Sequence, residues 1–194
     1  MMSLTIRNSV LALVFAAAGT GLSAEKGIDA VDGPNVRVMR QDDGSKTVFE
    51  RSPDNKTLTT RNLSPRGDVQ LRTIYRMDAN TNPISCKIFD GLGTELFKVS
   101  YGYRKSDGQL VAEQMFDSRV KRLDPQNPSK EMPVRYLVYT YDSNGKRSAP
   151  ISYTSVKGGT ADDIFGSKLK IAPFKPEDNP FKGAQPAAKP AGRR

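Results

Sequence analysis

The sequence predicts an all-β protein, an antiparallel meander of eight or nine strands forming an open sheet, a sandwich or a partial barrel. Two observations carry this. From Asn35 to Val156, short runs rich in β-branched and aromatic residues are broken by turn residues. Turn centres at Gly44, Asn55, Gly67, Asn82, Gly93 and Gly108 fall 11 to 15 residues apart, the beat of consecutive hairpins. Within the runs, apolar and polar side chains alternate with period two, which places them on opposite faces of a strand.

The runs are, in order, "NVRVMRQ", "KTVFERS", "KTLTTRN", "VQLRTIYRM", "ISCKIFD", "ELFKVSYGYR", "QLVAEQMF", "RYLVYTY" and "PISYTSV". In the fourth, Val69, Leu71, Thr73, Tyr75 and Met77 share one face, while Gln70, Arg72 and Arg76 share the other, broken only by Ile74. In the sixth, Phe97, Val99, Tyr101 and Tyr103 oppose Lys98, Ser100, Gly102 and Arg104. One face is dry and the other wet, as in an antiparallel sheet covered on one side. The dry face must meet something: the sheet's own second layer, or a second copy of the chain.

The beat is interrupted once, by "DSRVKRLDPQNPSKEMP" at 117–133, which the sequence marks as a structureless loop and a candidate contact site. Ahead of the strands, residues 1–24 have the build of a secretory signal peptide, with Arg7, an apolar run from Val10 to Ala18 and small residues up to Ala24. The run is too short to span a bilayer, so no transmembrane span is expected after cleavage, and the expected location is periplasmic or extracellular. Residues 25–34 read as a linker and 35–156 as the β domain. From residue 157 a basic tail rich in Pro, Ala and Lys reads as flexible. Within that tail Ile164, Phe165, Leu169, Ile171 and Phe174 have the character to lie back on the sheet.

Catalytic chemistry is narrowed by absences. The chain has no histidine and one cysteine, so a triad with a histidine base or a zinc site of His or four thiolates cannot form. No phosphate-loop or dinucleotide fingerprint occurs. No cofactor or metal is expected. Cys86 shares a strand face with Ile84 and Ile88 and reads as a small buried side chain. The remaining enzymatic alternative is a small carbohydrate-active hydrolase working with two carboxylates, with Glu50, Glu95 and Glu113 as candidates.

The turn "YTYDSNG", Tyr139 to Gly145, is explained by its own chemistry: Asp142 accepts backbone hydrogen bonds and Gly145 tolerates positive φ. Similar phrases occur at Phe89–Asp90–Gly93 and at Tyr101–Tyr103 before Asp107–Gly108. On these residues the stretch from Tyr75 to Tyr153 resembles the tyrosine-aspartate (YD) repeats of Rhs-type secreted proteins and, more loosely, is similar to the hairpin units of MORN-like repeats. The resemblance implies a β-hairpin scaffold, surface module or binding protein, and carries over no catalytic residue. The tripeptide Arg66-Gly67-Asp68 is read as an ordinary turn.

The formal net charge is +9; without residues 1–24 it is +8, with 29 Lys and Arg against 21 Asp and Glu. This surplus favours an anionic partner. The expected partner is an anionic envelope polymer or an envelope protein, not a nucleic acid. The candidate binding residues are the aromatic Tyr101, Tyr103, Tyr139 and Tyr141, the strand cations Arg72, Arg76, Lys98 and Arg104, and the loop cations Arg119, Lys121 and Arg122. The first reading of function is therefore an exported, non-catalytic binding or structural module.

Overall fold

The computed structural model describes residues 33–154, 171–175 and 179–181. The expected signal peptide, most of the linker, and Ile164, Phe165 and Leu169 lie outside the described residues. The protein is all-β. Strands β1 (Val36–Arg40), β2 (Lys46–Arg51), β3 (Thr57–Leu63), β4 (Val69–Met77), β5 (Pro83–Asp90), β6 (Glu95–Tyr103) and β7 (Leu110–Asp117) follow one another. After a short hairpin of β8 (Leu123–Asp124) and β9 (Asn127–Glu131) come β10 (Arg135–Val138) and β11 (Ile151–Thr154).

Nine of these form one antiparallel sheet in the order β1-β2-β3-β4-β5-β6-β7-β10-β11. The sheet is an open meander, not a closed barrel, and its two edges are the short strands β1 and β11. Short edges limit edge-to-edge pairing between chains.

The loop expected at 117–133 is instead a hairpin, with β8 and β9 pairing Leu123 with Glu131 and Asp124 with Asn127. Pro125 occupies the turn and Asp124 accepts the Gln126 amide at 2.9 Å, while Met132 N–H reaches the Arg122 carbonyl at 2.8 Å. Its exit is fixed by Val134, which is wholly buried and donates its N–H to the Met115 carbonyl at 2.7 Å. Prolines at 125, 128 and 133 hid this element because period-two apolar alternation is missing there.

Most of the turns repeat one design, the β6–β7 turn, where Gly108 donates to the Arg104 carbonyl, being one residue longer. The first residue accepts the N–H of the residue three places on, which stands in the left-handed region. Gly93 donates to Asp90 and Gly145 to Asp142 in this way, with φ of 89° and 76°. Both aspartates also cap two downstream amides: Asp90 those of Leu92 and Thr94, Asp142 those of Asn144 and Lys146. At the turn expected to centre on Asn82, the left-handed residue is Thr81, with φ of 61°, and Asn82 closes the hairpin by accepting from Asp78 N–H. The Asp78 side chain accepts the amides of Asn80 and Asn82, and this cap holds Thr81 in a conformation that β-branched residues avoid.

The dry face carries the core. Cys86, Ile88, Leu96, Phe97, Val99, Met115 and Val134 form its main cluster, and Phe49, Leu58, Met77 and Phe181 a second. Residues 171–175 and 179–181, read from sequence as part of a flexible tail, lie against this face. We refer to it as the covered face and to the other as the open face.

Candidate functional site

The covered face is organised around Glu113. Its carboxylate is 2% exposed in the side chain and accepts from Arg135 Nη2 at 2.8 Å. Its second oxygen accepts from the Tyr139 hydroxyl at 3.4 Å and from the Phe174 backbone N–H at 3.3 Å. Arg135 Nη1 donates to the Ile171 carbonyl at 2.7 Å. One ion pair of the sheet thus holds both backbone polarities of the crossing segment, which satisfies groups whose burial is otherwise unfavourable.

Two aromatic anchors complete the attachment. The Phe174 ring sits 5.4 Å from Tyr75 and 5.8 Å from Tyr101, tilted and edge-on. Phe181 packs on Phe49, Leu58 and Met77, with the guanidinium of Arg51 4.8 Å and that of Arg37 5.6 Å from its ring centre. The sequence singled out Ile171 and Phe174 on apolar character; Phe181, between Pro180 and Lys182, carried no periodic signal. Beside the segment, side chains of β1 to β7 line a groove of about 450 Å³ with Met39, Phe49, Thr60, Leu71, Thr73 and Ile88 among its walls.

The four tyrosines named as candidate contacts turn into this core. Tyr101 meets the Cys86 thiol at 3.5 Å. Tyr103 donates to the Pro83 carbonyl and Tyr141 to the Leu110 carbonyl, both at 2.8 Å. Tyr139 is 3% exposed. Burial raises the phenol pKa of Tyr101, Tyr103 and Tyr139, with nearby acidic groups adding to it. Burial likewise pushes the Cys86 thiol up to about 12, the behaviour of an inert buried thiol. Ile88 is buried with it, whereas Ile84, at the start of β5, is exposed.

The open face is different. Register places Arg61 directly opposite Arg72 and Lys87 directly opposite Lys98. Arg40, Lys46 and Arg76 share the same face by the period-two rule, and the strand acids there are Glu50 and Glu95. Glu50 accepts from Arg61 at 2.9 Å, and Glu95 from Lys87 at 2.9 Å with Lys98 at 3.9 Å. The Lys87 hydrogen bond holds the Glu95 carboxyl below its ordinary range, and the Ser118 hydroxyl adds to this against a modest burial penalty. Arg72 lies 4.7 Å over the Phe89 ring. Register therefore places Arg72, Arg76, Lys87 and Lys98 of the cationic stripe on one face and adds Arg61 to them.

Arg104 stands apart, in the β6–β7 turn, bound to Asp107 at 2.7 Å and 5.8 Å over the Tyr141 ring. The loop cations do not act as a group. Arg119 and Arg122 both bind Asp117, at 3.0 and 3.1 Å, and Arg119 also covers Phe97 at 5.1 Å. Only Lys121 of the three is exposed without such a partner among the described residues.

The three candidate carboxylates do not share a cleft. Glu113 is on the covered face and Glu50 and Glu95 on the open face, in strands four places apart in the sheet. At about 4.8 Å per strand, that is on the order of 19 Å. Among the described residues no group of three or more acidic, His or Cys side chains is arranged to hold a metal. No helix among them is long and apolar enough to cross a membrane. A scan against protein-family models finds no match, and a search of curated proteins finds no sequence match.

Proposed function

We propose that this chain is a non-catalytic binding module, exported to the cell envelope, whose open face engages an anionic envelope polymer. The observation that carries the reading is the direct opposition of Arg61 to Arg72 and of Lys87 to Lys98. Like charges facing each other across an antiparallel pair are destabilising, and here two such pairs lie on one face, in the β3–β4 and β5–β6 ladders. Glu50 and Glu95 relieve only part of the repulsion. A polyanion lying across strands β3 to β6 would neutralise the remainder and release its own counterions, which supplies affinity with steep salt dependence.

The test is co-sedimentation of the full chain, after any leader is removed, with isolated envelope polymer across a salt series, beside neutral polymer and anionic vesicles. Binding that weakens with salt and is reduced by Arg72→Gln together with Lys98→Gln supports the reading. Binding that the double variant leaves unchanged rejects the open face as the contact surface. Binding to vesicles but not to polymer replaces the proposed partner with a lipid surface.

A further inference from the structure

Among the described residues, the segment that crosses the covered face leaves a groove beside it. Phe174 and Phe181 pack over the row formed by Leu58, Tyr75, Cys86 and Val99, which face one another through consecutive register pairs. The next row, Phe49, Thr60, Thr73 and Ile88, is likewise in register. Its residues line the floor of the groove of about 450 Å³, with Phe174 as a wall, and Phe181 closes over its Phe49 end.

We infer that this groove binds a single long acyl chain with an anionic head, the chain lying along Phe49, Leu71 and Ile88 and the head at Lys175. Three features point there. The volume falls within the range of small-molecule sites. The sheet residues lining the groove carry charge only at Glu113 and Arg135, which are bound to each other at 2.8 Å, so the floor offers no free charge to a polar ligand. Lys175 lines the groove, is exposed, and has no ion pair among the described residues, which gives the lining one cation besides the paired Glu113 and Arg135. Because the lining draws on every strand from β1 to β7, the channel runs across the strands and suits an extended chain better than a compact ring.

This site is on the opposite face from the cationic surface and stands or falls independently of it. The probes are hexadecanoate, hexadecan-1-ol and a lysophosphatidylglycerol of the same chain length, measured by equilibrium dialysis against the full chain. Saturable binding of hexadecanoate at one per chain is expected. Lys175→Glu should weaken the two anionic probes about 5- to 10-fold, the scale of a lost charge-assisted contact with reversal, and leave hexadecan-1-ol unchanged. Thr60→Trp, which projects into the groove, should abolish binding, whereas Thr59→Trp, on the open face of the same strand, should not.

Absence of saturable hexadecanoate binding overturns the proposal. So does equal loss in the two tryptophan variants, or an equal effect of Lys175→Glu on acid and alcohol. Should Thr60→Trp fail to give a native thermal transition, the comparison of acid with alcohol in Lys175→Glu decides alone. Preference for hexadecanoate or for the lysolipid supports the site and identifies the source of the chain.

Discussion

Glu113 on β7 and Arg135 on β10 form an ion pair of 2.8 Å with side chains only 2% and 12% exposed, and the same pair binds the backbone of residues 171 and 174. Two strands of the sheet and the segment that covers them therefore depend on one charge contact. Removing one partner of such a pair leaves a buried charge uncompensated, which typically costs about 3–5 kcal/mol. Arg135→Met should destabilise the protein by that order in urea unfolding. The double variant Glu113→Gln with Arg135→Met should recover part of the loss. A double variant as unstable as the sum of the singles would show that the two residues act separately.

Phe174 and Phe181 are both buried to within a tenth of their surface, so the covering segment contributes core and not only shielding. Phe→Ala in a core costs about 3–5 kcal/mol; for rings held on one side by a single strand of chain, on the order of 2 kcal/mol each is expected. Protease cleavage after the substitution should shift to the C-terminal segment before the sheet is cut. Unchanged urea midpoints in both variants would mean that the segment rests on the face without stabilising it.

Thr81 holds a left-handed conformation with φ of 61°, in which a β-branched residue is disfavoured by about 1–2 kcal/mol. Thr81→Gly should raise stability by up to about 1 kcal/mol, since glycine's added freedom in the unfolded chain offsets part of the gain. At the equivalent place of another turn, Gly145→Ala should lower stability by about 1 kcal/mol. A thermal-melt series of both variants checks the signs, which are opposite for the same position of two like turns.

Asp117 is buried to 5% exposure and paired with Arg119 and Arg122. Burial by itself would raise its pKa, but the hydrogen bonds from Arg119, through side chain and backbone, and from Arg122 prevail and hold it below its ordinary value. With the folded pKa below the unfolded one, the stabilisation is fully present above the unfolded value of about 3.9 and is lost as pH falls through the folded value. Asp117→Asn should therefore be less stable than the parent at neutral pH, with the gap closing below about pH 4. A gap independent of pH would assign the loss to packing alone.

The cysteine gives a probe of local opening. Cys86 is 4% exposed with its thiol pushed up to about 12, so reaction with an aromatic disulfide reagent at pH 8 should be slow in the native state and complete on unfolding. Phe174→Ala, which uncovers the Tyr75–Tyr101 site above it, should speed the reaction. Identical rates would show that the segment does not gate access to the thiol.

Sequence by itself determined where the strands of the main sheet fall along the chain, and left their order open. The run at 69–77 coincides with β4, and the other runs agree with their strands to within a few residues, because period-two alternation and turn chemistry act over only a few neighbouring residues. For the same reason neighbours in sequence became neighbours in the sheet. The tertiary structure alone decided which residues meet across strands: that Arg61 faces Arg72 and Lys87 faces Lys98, and that Tyr101, Tyr103, Tyr139 and Tyr141 point into the core instead of presenting a surface. It also decided that Asp117 gathers Arg119 and Arg122 and that the 117–133 stretch pairs with itself. The bond from Glu113 to Phe174 spans 61 residues, and no local pattern specifies a contact at that separation. Register is set by the whole run of turns and bulges between two strands, so a face's charge and a groove's lining emerge only when every strand has been placed.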